Sequence, residues 1–329
     1  MKILFIGGTG NISSEVSKLA ISQGIDLYLL NRGSSGVTIP GTKTIKANIH
    51  DVEESRNALK DHTWDVVVSW IAFIPEHIQN DIELFRGKTK QYIFISSASI
   101  YQKPPSSHII TESTPLFNPF WQYSRDKIAC EELLQKAYHD EGFPITLVRP
   151  SHTYNTIIPL SIGGSNEYTA IDRMKKGKKV IIHGDGTSLW TLTHAKDFAK
   201  GFNGLLGNDQ SIGHAFHITS DEVLTWNQIY QIVADTAGAE LNAVCIPTET
   251  IMRIAPSKKG SLWGDKSYST IFDNSKIKSF VPDFKATISF KAGFSSTLEW
   301  FEAEQKRMLI NPDTDAMMDE MIKAYDRLI

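Results

Sequence analysis

Apolar and polar positions along the first half of the chain follow two alternating periods. Lys2–Ile6 is a short apolar run that stops at Gly7-Gly8, the pattern of a buried strand. The next segment, 13–22, places Val16, Leu19 and Ala20 at helical spacing. The same alternation continues. Further strands are predicted over 26–30, 44–47, 64–70, 92–96 and 146–149, and further helices over 52–59, 76–85 and 121–138. Repeated strand–helix units predict an α/β fold, a doubly wound parallel sheet with helices on both faces. Right-handed crossovers then bring every strand's C-terminal end to one edge.

The second half is less regular. Gly163-Gly164-Ser165-Asn166 and Gly184-Asp185-Gly186 mark loops, 215–218 reads as one more strand, and 226–237 as a helix. A closing helix over 313–328 carries Met317, Met321, Tyr325 and Leu328 on one face, which predicts a docking stripe. The expected division is a nucleotide-binding domain over 1–155, completed by about 191–220. Segments 156–190 and 221–329 would form a smaller C-terminal α/β lobe for the substrate.

Charge narrows the function. With 34 Lys+Arg against 37 Asp+Glu the net charge is −3, which opposes binding to nucleic acid through phosphate neutralisation. The basic run Lys175-Lys176-Gly177-Lys178-Lys179 is expected to be a solvated loop. Two cysteines, Cys130 and Cys245, are far apart in sequence and offer neither a disulfide framework nor a thiolate zinc site. His152, His183 and His194 lack metal-ligand spacing, so no metal is expected. The apolar run Val66–Ile74 is interrupted by Ser69 and is short of the roughly 20 residues that span a bilayer. A cytoplasmic protein with no membrane partner is expected.

Gly7-Gly8-Thr9-Gly10-Asn11-Ile12-Ser13 lies between the first strand and the first helix. In that context Gly7 permits a tight turn, Gly10 lets a pyrophosphate approach, and the helix N-terminus behind Asn11 and Ile12 supplies N–H donors. This points to a Rossmann-type site for NAD or NADP. An acidic residue closing the second strand would bind a ribose diol; the chain has Asn31 and Arg32 there, which leans toward NADP. Asn48 and Ile49 would frame the adenine, and Ala72 is small where a cofactor would cross.

Tyr123-Ser124-Arg125-Asp126-Lys127 puts a phenol and an ammonium on one helix face. A nearby cation favours the phenolate, so Tyr123 could take a proton from a substrate hydroxyl as hydride leaves the carbon. Ser97, in Ser96-Ser97-Ala98-Ser99-Ile100-Tyr101, could bond the same oxygen.

Together these motifs, with Val148-Arg149-Pro150 and Thr193-His194-Ala195-Lys196-Asp197, resemble the extended short-chain dehydrogenase/reductase family, in its NAD-dependent epimerase/dehydratase branch. Nucleotide-sugar 4-epimerases share this order, and chloroplast stem-loop-binding proteins have a similar Asn-Arg-Gly ending of the second strand. The resemblance implies Tyr123 as general acid/base and Lys127 as its tuner and ribose ligand. It implies Ser97 as substrate orienter, with the chain after Pro150 running near the nicotinamide. Ser99, Trp121, His152, Trp190 and Lys266 would contact substrate. A homodimer through the helices at 76–85 and 121–138 is also implied, on apolar residues beyond what the sheet can cover.

Two departures matter. Dehydratases of the family carry Asp-Glu where this chain has Ala98-Ser99, which disfavours water loss. UDP-sugar members carry an Arg four residues before the His, where this chain has Trp190, and an indole cannot neutralise a diphosphate. The expected activity is epimerisation of a sugar or nucleotide sugar, a role that leans toward NAD. The alternatives are an NADP-dependent carbonyl reductase and a non-catalytic dinucleotide- or RNA-binding relative.

Overall fold

The computed structural model describes residues 1–33 and 36–328. Seven strands build the main sheet: β1 Lys2–Ile6, β2 Asp26–Asn31, β3 Lys43–Lys46, β4 Trp64–Ser69, β5 Thr89–Ile95, β6 Ile145–Val148 and β7 Ala215–Phe216. They lie in the order β7-β6-β5-β4-β1-β2-β3, and every neighbouring pair is parallel. The fold is thus the α/β, Rossmann-type doubly wound sheet expected from the periodicity.

β1 shows why its sequence reads as a continuous apolar run. Ile3 and Phe5 point into one core, with Val16 of helix α1 (Ser13–Ser22) and Phe198 and Phe202 of the helix Ala195–Asn203. Leu4 and Ile6 point into the other, with Ile78 and Ile82 of α3 (Pro75–Phe85) and Leu134 of α4 (Gln122–Glu141). A strand buried on both faces has no polar positions to alternate with. Each such side chain contributes about 1.5–3 kcal/mol on burial.

Local signals set the helix ends. Asp51 caps α2 (Val52–Leu59) by accepting from Glu54 N at 3.0 Å. Gly142, at φ 69°, ends α4 in the left-handed conformation that glycine adopts without penalty. Thr225 and Gln228 form a reciprocal capping box on the helix Trp226–Thr236.

Differences from the sequence pattern have local causes. β5 starts at Thr89, before the apolar run, because Thr89 pairs with Trp64 although its side chain is only half-buried. β7 stops at Phe216, because the next amide, His217 N, donates to the Glu112 side chain at 3.2 Å instead of to a strand. The closing helix, Pro312–Asp326, buries Met318, Met321 and Ile322. Met317 and Tyr325 of the expected stripe pack against the same core, which Met318 and Ile322 widen, while Leu328 is exposed.

A second core gathers under the C-terminal lobe, with Tyr154, Ile171, Trp190, Trp226, Ile251 and Phe294 among its members. Residues Ile277 and Phe284 return to pack under the main sheet. The basic run at 175–179 is neutralised by carboxylates: Lys175 pairs with Glu302, Lys176 with Asp172, Lys178 with Asp315 and Lys179 with Asp326. Among the described residues, no large apolar side chain within α3 or α4 is exposed, although Ile74 at the start of α3 is. No helix among the described residues is long and apolar enough to cross a membrane.

Asp81 on α3 supplies a pH-dependent element of stability. Its Oδ2 accepts from Ser69 Oγ at 2.8 Å and from Tyr92 Oη at 2.6 Å. Burial pushes the carboxyl from 3.8 up to about 6, against the pull of both hydroxyls. The folded state therefore holds this proton more tightly than the unfolded chain. That contribution is fully present below 3.8 and is lost as pH rises through about 6. Asp81→Asn keeps an acceptor and removes the charge. It should flatten this window and exceed wild-type stability by on the order of 2 kcal/mol above it, measured by urea denaturation across the window. Parallel pH profiles for the two proteins would refute the assignment.

Candidate active site

The C-terminal ends of β1, β2, β4, β5 and β6 open onto one edge, and a continuous groove lies along it. One cavity of 490 Å³ runs from the glycine loop to Ser97, Tyr123 and Lys127. A second, of 290 Å³, is bounded by Asn31, Arg32, Asn48, Ile49 and His50. Thr9, Ile71 and Phe73 line both and join them. A third cavity of 260 Å³ continues beyond the chemistry, between Ser99, Trp121, His152 and Lys266. Ser97, Tyr123, Pro150 and Ser151 form its shared wall with the first.

The glycine loop is shaped for a ligand. Gly8 sits at φ 99°, and a Cβ there would lie 2.6 Å from Leu29 Cδ2, so a side chain at this position would be strained. Helix α1 follows its N-cap residue Ile12 without a side-chain cap, leaving its positive dipole end toward the groove. Ser13 stands where a third glycine is usual, and its Oγ accepts from Gly10 N at 2.9 Å. Asn11 is spent internally: it donates to Thr153 O and accepts from Thr156 N, both at 3.0 Å. It therefore fastens the loop to the segment after Pro150, a role the sequence did not suggest. Two buried polar atoms on the groove wall, Ser96 Oγ and Trp70 Nε1, have no partner among the described residues. Leaving such groups unmet costs about 1–3 kcal/mol each, so a polar ligand atom that reached them would be stabilised. These residues fit a dinucleotide.

At the adenosine end Asn31 Oδ1 closes its own turn by accepting from Gly33 N at 2.9 Å. Arg32 is exposed on the cavity rim. Asn48 and Ile49 line the same cavity, and Asn48 Oδ1 accepts from His50 N at 3.3 Å. Ala72 does not line the groove as expected. It is buried, and its carbonyl accepts from Lys127 Nζ, while the larger Ile71 and Phe73 form the wall.

α4 carries both Tyr123 and Lys127 to the groove. Lys127 is 1% exposed, and its Nζ donates to Ala72 O and Ile95 O, both at 2.7 Å. An ammonium has three donors, so one remains for the groove. Burial lowers its pKa to about 8. The Tyr123 phenol is raised above 10.0 by burial, against the neighbouring Ser97 hydroxyl, with the Asp265 charge raising it further. The expected lowering by Lys127 is not seen: the ammonium is itself engaged by two carbonyls, and desolvation of the phenolate dominates. In this state the Tyr123 phenol keeps its proton.

Ser97 is held by a chain of hydroxyls absent from the sequence reading. Its Oγ lies 2.9 Å from Ser99 Oγ, which lies 2.8 Å from Ser124 Oγ. Asn118 supports this chain by donating to Ser99 O and Gly264 O, both at 2.7 Å. Ser124 follows Tyr123 directly, and that adjacency was the one signal that could have shown it.

Among the proposed substrate contacts, Ser99, Trp121, His152 and Lys266 line the third cavity, together with the unforeseen Asp265. Trp190 does not. It is 2% exposed, packs at 5.4 Å against Trp226, and donates through Nε1 to His152 Nδ1 at 3.1 Å. The indole is a core residue that orients His152 from behind. The other two histidines are also structural: His194 Nδ1 caps the helix at 195 by accepting from Lys196 N at 3.2 Å, and His183 Nδ1 lies 2.9 Å from Ser161 Oγ. Cys130 is buried behind α4, its thiol pushed up to about 12 by desolvation, and Cys245 is exposed; both are free.

A doubly wound sheet whose glycine loop, Tyr-x-x-x-Lys helix and Ser97 meet in one groove defines an extended short-chain dehydrogenase/reductase. Within that class, the chain belongs to the NAD dependent epimerase/dehydratase family, which matches residues 3–219. It is 23% identical to 2′-dehydrokanamycin reductase of Streptomyces kanamyceticus over 76% of this chain and 70% of that protein. It is 27% identical to UDP-glucose 4-epimerase of Lactobacillus helveticus over 61% of this chain and 68% of that one. In structure it resembles UDP-glucuronic acid 4-epimerase from Bacillus cereus in complex with NAD, with TM-score 0.73 and 18% identity over 92% of this chain and 99% of that chain. At that identity the likeness concerns the fold.

Proposed function

We propose that the protein catalyses reversible, Tyr123-assisted hydride transfer at a carbinol carbon of a sugar or sugar derivative, completed as epimerisation of that carbon. One observation carries the reading: Tyr123 and Ser97 form the wall shared by the dinucleotide groove and the third cavity. A bound nicotinamide would accept and return the hydride. Tyr123 moves the proton of the reacting oxygen, Ser97 orients that oxygen, and Lys127 places a cation beside the phenol. The 4-epimerase among the relatives supports a redox-neutral outcome. With a panel of sugars and sugar nucleotides, the expected result is a new epimer by NMR with no sustained absorbance change at 340 nm. A steady change at that wavelength would replace epimerisation by net redox.

Arg32 favours a second reading, an NADP-dependent reductase, in line with the reductase relative. The rim of the adenosine cavity holds this cation and no acidic side chain. Arg32→Ala is expected to weaken NADP binding by about tenfold while leaving NAD binding within a factor of two, measured by fluorescence titration. Equal effects on both cofactors would remove this argument.

A further inference from the structure

The third cavity is polar yet holds no surplus charge. Its charged lining groups are Asp265 and Lys266, and they pair with each other, Nζ to Oδ2 at 3.3 Å, with both side chains largely buried. Lys103, which also senses Asp265, is buried and outside the lining. The remaining polar surface is hydroxyl and imidazole.

The state of that imidazole follows from its neighbours. An indole N–H can only donate, so His152 Nδ1 must accept from Trp190. A neutral ring then carries its proton on Nε2. Burial, aided by Lys266, holds the ring well below its usual titration range, so it is neutral at pH 7. His152 therefore offers one fixed N–H donor and no positive charge. Trp121 supplies an aromatic platform beside it. A Cβ at Gly260 would lie 2.4 Å from its ring, and one at Gly264 would lie 2.9 Å from its Cβ, so both glycines are needed for this close seat. The indole also packs on Tyr123 at 5.1 Å.

We propose that this cavity takes an uncharged polyhydroxylated molecule, a sugar or cyclitol without a diphosphate. Its apolar face would rest on Trp121 and an oxygen would accept from His152 Nε2–H. A nucleoside diphosphate entering here would meet no cation free of a carboxylate, and desolvating its charge would go uncompensated. The inference rests on the hydride-transfer reading for its choice of cavity, and its test needs no turnover.

The test uses histidine-¹⁵N-labelled protein saturated with NAD or NADP, so that the dinucleotide groove is filled. Long-range ¹H–¹⁵N spectra should show His152 as the Nε2–H tautomer. Trp190→Phe, which removes the indole donor, should turn this into a tautomer mixture. At least one member of a panel of methyl glycosides and inositols should shift the Nε2–H signal, and UDP and UDP-glucose should not. Asp265→Asn, by freeing Lys266, should strengthen UDP binding by roughly fivefold. A charged or Nδ1–H His152, a response to UDP in the wild type, or silence from the whole neutral panel would each overturn the proposal. Binding of a neutral sugar without any hydride transfer would instead overturn the catalytic reading and leave this one standing.

Discussion

Tyr123→Phe is expected to lower kcat by about 10²–10⁴-fold, the range for losing a positioned proton carrier, with cofactor affinity unchanged. The phenol is the titratable group that lines both the dinucleotide groove and the third cavity while its hydroxyl neighbour, Ser97, is tied into the Ser99–Ser124 chain. Phenylalanine preserves the ring that packs against Trp121. Loss of rate without loss of fold is therefore the expected signature. Burial holds the free phenol protonated, the form needed when hydride and a proton return to the keto intermediate. The reverse step needs a cation to stabilise the phenolate, and Lys127 is the buried cation on the same helix face, 5.8 Å from the Tyr123 ring. Steady-state kinetics and a separate cofactor titration check both parts. Activity retained in Tyr123→Phe would mean that another group carries the proton.

Arg149→Met is expected to destabilise the fold by about 3–5 kcal/mol, the range for leaving a buried partner charge unpaired. Arg149 follows β6 directly and holds Glu131 of α4 in a two-pronged contact, Nε to Oε1 at 3.0 Å and Nη2 to Oε2 at 2.6 Å. Both side chains are buried, at 3% and 1% exposure. The third nitrogen, Nη1, donates to Tyr101 Oη at 3.3 Å and to Glu112 O at 3.2 Å. The carboxylate holds the guanidinium charged despite its burial. This pair pins the helix that carries Tyr123 and Lys127 to the strand end that leads into Pro150. The double variant Arg149→Met/Glu131→Leu, with no charge stranded, should recover much of the loss. Urea denaturation of the two single variants and the double variant closes the cycle. Additive losses would show that the pair does not act as a unit.

The elements of the sheet were legible because burial on both faces leaves a mark in the sequence. β1 and β4 read as apolar runs, and α1 shows itself through helical spacing. The glycine loop and the Tyr-x-x-x-Lys spacing were legible for a related reason, since each is a local geometry that constrains residue type. The C-terminal lobe was less so. Its strands are two to four residues long and its core is assembled from segments far apart in sequence. Periodicity over such short pieces carries little information.

Local sequence also determined which helix face meets the groove, since Tyr123 and Lys127 are one turn apart on it. Tertiary structure alone decided what those side chains do. It engaged two of the three Lys127 donors with backbone carbonyls, buried the phenol enough to raise its pKa, and turned Ala72 away from the groove. It also placed Trp190 behind His152, where an indole donor selects a tautomer, and set Asp265 against Lys266 so that their charges offset each other. The physical reason is that a proton's affinity and a charge's reach depend on desolvation and on partners brought in from elsewhere in the chain. Neither can be read from the spacing of residues along one segment.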